Sequence, residues 1–177
     1  MEWVEDFVGA GGCEWLLHYL ICALHQPSSL DTDEKSDADL EAMSRLVSCI
    51  CQMANMSSPT AIEEFLALPE ALKHVVLTVE YLPAEQLCAL FEFMSAITIQ
   101  SENAWVDVYD ALRFLQETSA DSWDLLVEIM SDSLDLKTAY AMSVNTLLVS
   151  CTDPKKKVCS LVSSVEKFPC GEACLES

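Results

Sequence analysis

An all-α, armadillo/HEAT-like helical-repeat solenoid is the fold class this sequence predicts, and three observations carry the prediction. Sustained period-2 alternation is missing from every segment, while apolar residues recur at helical spacing in most of them. Only 4 Gly and 6 Pro punctuate 177 residues, so breaks between long helical stretches are few. Finally, the stripe Met43, Leu46, Val47, Ile50, Met53, Ala54 slides without a gap onto Leu87, Leu90, Phe91, Met94, Ile97, Thr98, a shift of 44 residues. A third long helix begins about 50 residues later, and all-helical repeats of that period belong to solenoids, whose stacked units share one core.

The elements follow in order. Trp3, Val4, Phe7 and Val8 form a short helix that residues 9–12, Gly-Ala-Gly-Gly, bring to a stop. A helix over residues 13–24 then turns Leu16, Leu17, Leu20 and Leu24 inward, and Pro27 closes it. Residues 28–39 hold Asp31, Asp33, Glu34, Asp37 and Asp39 with almost nothing apolar, the pattern of a solvated loop. Residues 40–56 carry the Met43 stripe. Ser58-Pro59-Thr60 breaks the chain, and Thr60 with Glu63 has the spacing of a capping box for a helix over 61–68. Pro69 is expected to start a helix that reaches residue 81, and Pro83 separates it from the next.

Residues 87–99, LCALFEFMSAITI, form the centre of the pattern. Leu87, Leu90, Phe91, Met94 and Ile97 make a core stripe, yet the opposite face also carries Ala89, Phe93, Ala96 and Ile99. A helix apolar on two faces is either sandwiched between neighbours or half-covered by a partner. Both hold if it lines the concave side of a solenoid. Further helices are expected over 103–117, 122–130 and 136–151, the last with Tyr140, Val144, Leu147, Leu148 and Cys151 on one side. The boundary of the repeat domain is set at residues 1–153. Residues 154–177, with Lys155, Lys156 and Lys157 and a Cys-, Ser- and Pro-containing stretch, read as a divergent, poorly ordered tail.

Composition narrows the function. Hydrophobic content of 51% against 21% charged residues is that of a globular chain with a real core. A net charge of −20 argues against nucleic acid and anionic membranes and for a basic partner. Nine cysteines, mostly inside apolar helical patterns and with no signal peptide before them, suit a reducing, cytoplasmic setting. The run 15–24 is too short to span a bilayer. Cys174-Leu175-Glu176-Ser177 has the spacing of a prenylation box, but acidic Glu176 and the lack of an upstream polybasic segment make it a chance match.

No catalytic constellation emerges. His18, His25 and His74 lie in helices without clustered ligands and read as surface or helix-terminal residues. Cys49 and Cys51 point to different sides of a helix, and Cys170 with Cys174 lacks a second pair. Phosphate-binding loops, nucleophile elbows and dinucleotide fingerprints are also missing. The expectation is therefore a non-enzyme with no cofactor and no metal.

Several landmarks resemble a known family. Residues 3–17, WVEDFVGAGGCEWLL, resemble the armadillo opening W-x-x-x-F-x-x-x-G-G-x-x-x-L-L of the regulatory domain near the N-terminus of diaphanous-related formins. Residues 47–55, VSCICQMAN, resemble that family's helix ending in Met-Asn, here with Ala54 intervening. Residues 91–99, FEFMSAITI, look like its E-L-L-S-A-L-C-I helix, and Val144-Asn145-Thr146-Leu147 resembles its I-N-A-L helix. The resemblance implies a domain that clamps a C-terminal amphipathic helix with a basic flank, in cis or in trans. It further implies a Rho-type GTPase that relieves the clamp, and a cytoplasmic, cytoskeleton-associated role in regulating actin assembly. By position, the implied groove comprises Asn55, Ala96 and Ile99, with Phe93 and Gln52 beside them by helical phase. Nothing matches the family's GTPase-contacting segment, dimerisation helices or actin-assembling domain, so the expected role is regulatory. The alternative is an armadillo-type scaffold similar to the engulfment and motility adaptors, with a like groove for another peptide.

Overall fold

A computed structural model describes residues 2–25, 36–55, 59–101, 104–118 and 120–150. Every regular element among them is helical: α1 (Glu2–Gly9), α2 (Gly12–His25), α3 (Asp37–Asn55), α4 (Pro59–Ala67), α5 (Ala71–Val76), a 3₁₀ turn (Val79–Tyr81), α6 (Ala84–Gln100), α7 (Ala104–Thr118), α8 (Ala120–Asp132) and α9 (Leu134–Ser150). The all-α expectation holds, with no strand among the described residues. The proposed tail, residues 154–177, lies outside them, as does most of the acidic stretch before α3.

The helix ends follow local chemistry. The turn between α1 and α2 passes through Gly11 at φ +80, a left-handed conformation that glycine adopts without steric cost. Gly12 lies so close under the Phe7 ring that a Cβ there would meet its edge. At the start of α3, Ser36 Oγ accepts a bond from the Asp39 N–H at 3.3 Å, and Asp37 and Asp39 sit in the first turn, where the helix dipole favours carboxylates. Helix therefore reaches back to residue 37, three residues into the expected loop. Pro59 takes the first position of α4, since its missing N–H costs nothing there. Thr60 thus lies inside the helix, not at its cap.

The single helix expected over 69–81 is two short pieces. Glu70 has φ 56, which breaks the path out of Pro69, and a 2.7 Å ion pair with Lys73 holds its carboxylate. At the other end Thr78 folds its hydroxyl onto the Val75 carbonyl at 2.6 Å, and Leu82 is extended ahead of Pro83. A side chain that bonds nearby backbone competes with helix continuation.

The long helices α3, α6 and α9 lie side by side, with α6 in the middle. Gln86 donates from Nε2 to Ser44 Oγ, and Glu92 lies near Cys51 further along, so α3 and α6 run parallel. Likewise Cys88 lies near Asp135, Phe91 meets Tyr140 edge-on with centroids 5.1 Å apart, and Ser95 shares a cleft with Met142. Hence α6 and α9 are parallel too. Parallel neighbours need crossovers, supplied by α4 and α5 in one case and by α7 and α8 in the other. A second layer, α2–α5–α7–α8, backs the first, and one continuous core fills the space between.

The expected stripes are largely where the periodicity puts them. Leu87, Leu90, Phe91, Met94 and Ile97 are all buried, as are Met43, Val47, Ile50 and Met53, whereas Leu46 is half-buried. In α2, Leu17 and Leu20 are buried with Cys13 and Ala23, while Leu16 and Leu24 are only partly covered.

Candidate peptide-binding face

The outward side of α6 is Cys88, Ala89, Glu92, Ser95, Ala96 and Ile99, because the inward turn of the helix is taken by the core stripe. Between this side and α9 runs a cleft of about 490 Å³, lined by Cys88, Glu92, Ser95, Asp135, Thr138, Ala139 and Met142. Met142 is 62% exposed, and further along the same direction stand Ile99 at 74% and Val149 at 79%. The parallel register puts Ile99 level with the turn between Met142 and Val149. The Ser95 and Thr138 hydroxyls are committed to the carbonyls of Phe91 and Leu134, at 3.0 and 2.9 Å, which leaves the cleft walls largely apolar in character.

Its charge has one sign. Among the described residues, Glu92 and Asp135 line the cleft and no Lys or Arg does. Among the described residues, Lys137 Nζ bonds the Ser131 carbonyl at 3.0 Å, and Arg45 pairs with Glu41. Two thiols lie beside these carboxylates. Burial, then Asp135 and Glu92, push the Cys88 thiol up; burial and Glu92 push Cys51 up to about 12. The carboxylate part of these shifts, secondary to burial, is the part that would favour an incoming cation.

Four of the five expected groove residues can be placed by side chain. Ala96 is half-buried against the core and Ile99 is exposed on the same side of α6. Gln52 is exposed on α3, next to the Cys51 that feels Glu92. Asn55 ends α3, and its side chain lies outside those described. Phe93 requires a correction. It retains 4% of its surface and stands edge-on to Phe65 of α4 with centroids 6.3 Å apart. The flank of α6 it occupies is covered by α4, so it is a core side chain and not part of a groove.

The α9 wall was missed by sequence reasoning. Met142 and Val149 recur at i, i+7 outside the buried side of α9, a second apolar line that could have flagged it. His74 lies in the last turn of α5, where it is half-buried, its Nδ1 has no partner among the described residues, and burial lowers its pKa. His18 and His25 are exposed on α2. Among the described residues no group of three or more His, Cys, Asp or Glu could hold a metal ion, and no helix is long and apolar enough to cross a membrane. Comparison with known protein families, curated proteins and solved structures finds no match to this chain.

Proposed function

We propose that this chain is a non-catalytic regulatory module, a helical-repeat solenoid of armadillo type that docks a basic amphipathic helix along the α6–α9 face. The observation that carries the reading is the cleft itself: apolar ground with exposed Met142, Ile99 and Val149, walled by Glu92 and Asp135 and, among the described residues, by no cation. An amphipathic helix lays apolar residues at i, i+3, i+4 and i+7 into such a groove, and its basic flank meets the carboxylates. The solenoid reading is supported by three parallel long helices separated each time by a pair of crossover helices. The formin-like landmarks support placing the module in cytoskeletal control, with the docked helix an autoregulatory segment and a Rho-family GTPase as the releasing partner.

The test is titration of the whole chain with a fluorescent Leu-faced, Arg/Lys-flanked helical peptide. Saturable binding is expected, weakening as salt rises because the attraction between charges is screened. Ile99→Ser and Met142→Ser should each weaken it about five- to tenfold, the worth of one apolar anchor, while leaving the melting temperature nearly unchanged. A peptide that does not bind, or that binds equally well to both variants, refutes the reading.

A further inference from the structure

A second surface, away from the α6–α9 face, offers a different chemistry. On α2, Trp15 and Tyr19 are 58% and 55% exposed and stack one turn apart, centroids 5.8 Å and planes 27° from each other. Beside Trp15 opens a cleft of about 590 Å³ whose far wall is the Leu68–Pro69 turn after α4, with Ile21 and His18 also lining it and Glu14 the one carboxylate among the described lining residues. Neither the Trp15 indole N–H nor the Tyr19 hydroxyl bonds another described residue. Glu14 lines the cleft and no described Lys or Arg does, and residues 2–25 as a whole contain Glu2, Glu5, Asp6 and Glu14 and no Lys or Arg.

We infer that this aromatic cleft docks a proline-rich segment of a partner protein, in polyproline II conformation and flanked by Arg or Lys. Three features select that occupant. A polyproline II strand has no internal hydrogen bonds and presents every carbonyl outward, which suits donors such as the indole N–H and the phenol. Its proline rings pack on flat aromatic faces, and the strand is already ordered before it binds, so a small cleft suffices. The Glu14 carboxylate in the lining favours a basic flank, and a second copy of this chain is disfavoured because it would bring its own −20 charge to the contact.

The experiment titrates the full chain with a synthetic Arg-flanked octaproline peptide, followed by heteronuclear NMR and fluorescence anisotropy. Saturable binding is expected, with shifts at the Trp15 indole. Trp15→Ala should weaken it at least tenfold, Tyr19→Phe about threefold, and Glu14→Gln should weaken the Arg-flanked peptide but not an Ala-flanked one. Both rings are exposed, so these variants are expected to fold; a matching circular dichroism melt verifies that, and Trp15→Phe supplies a milder probe. Ile99→Ser should leave this titration unchanged, which separates the two surfaces. The inference falls if the octaproline peptide gives no saturable shift at millimolar concentration. It also falls if an alanine-for-proline peptide binds equally well, if Trp15→Phe and Trp15→Ala both leave affinity intact, or if sedimentation shows the patch consumed by self-association.

Discussion

Phe93→Ala tests the assignment on which the shape of the α6 surface depends. The native ring keeps 4% of its surface and meets Phe65, itself 1% exposed, edge-on at 6.3 Å. Truncation removes the apolar transfer of a buried ring and leaves a cavity, together about 3–5 kcal/mol for a core phenylalanine. Within that sum the edge-on pairing accounts for roughly 0.5–1.5 kcal/mol, which a double-mutant cycle with Phe65→Ala should return as a coupling energy. In a domain of this size about 2–4 °C of melting temperature goes with each kcal/mol, so the variant should melt about 6–20 °C lower. Urea unfolding followed by far-ultraviolet circular dichroism should show a lower midpoint at unchanged slope. A groove residue would behave oppositely, with intact stability and weakened peptide binding. A stability loss below about 1 kcal/mol would refute the packing argument and return Phe93 to the groove.

Other consequences follow from the same packing. Ser143 is 1% exposed on α9 and its hydroxyl has no hydrogen-bond partner among the described residues, so Ser143→Ala should stabilise the fold by about 1 kcal/mol in urea unfolding. Stability should fall in alkali. Burial and Glu92 raise Cys51 from its ordinary value near 9 to about 12, so unfolding releases a proton above pH 9; the thiol's contribution is complete below that pH and is lost between 9 and 12. Tyr81, raised to about 12 by burial and its bond with Glu80, and Tyr140, raised by burial, act in the same direction. Unfolding midpoints at pH 8 and pH 10.5 should differ, and Cys51→Ala should reduce the difference. Peptide mapping after brief maleimide treatment at pH 7.5 should find exposed Cys22 and Cys49 labelled well ahead of buried Cys13 and Cys51.

Which parts of this molecule are written locally is clear from α6. Its sequence alone determines that residues 87–99 are helical and that Leu87, Leu90, Phe91, Met94 and Ile97 share one side, because spacing along a helix sets the angle around its axis. The two stripes related by the 44-residue shift both lie on helices, α3 and α6, with their apolar sides largely buried, and the exposure of Ile99 agrees with its phase. Only tertiary structure decided which sectors of α6 are covered. Ala96 and Phe93 are neighbours in angle, yet Phe93 is sealed by Phe65 of α4 while Ala96 remains half-open. Periodicity gives the direction of a side chain and says nothing of what stands there. The split of residues 69–81 escaped for a related reason: their apolar spacing is helical, but Glu70 in the left-handed region and the Thr78 hydroxyl redirect the backbone at two points. The cleft is the clearest case. It exists because Asp135, Thr138 and Met142 of α9 come level with Cys88, Glu92 and Ser95 of α6, a register between segments separated along the chain by two whole helices. That register is set by how α7 and α8 carry the chain across, and core packing, not local preference, fixes their course.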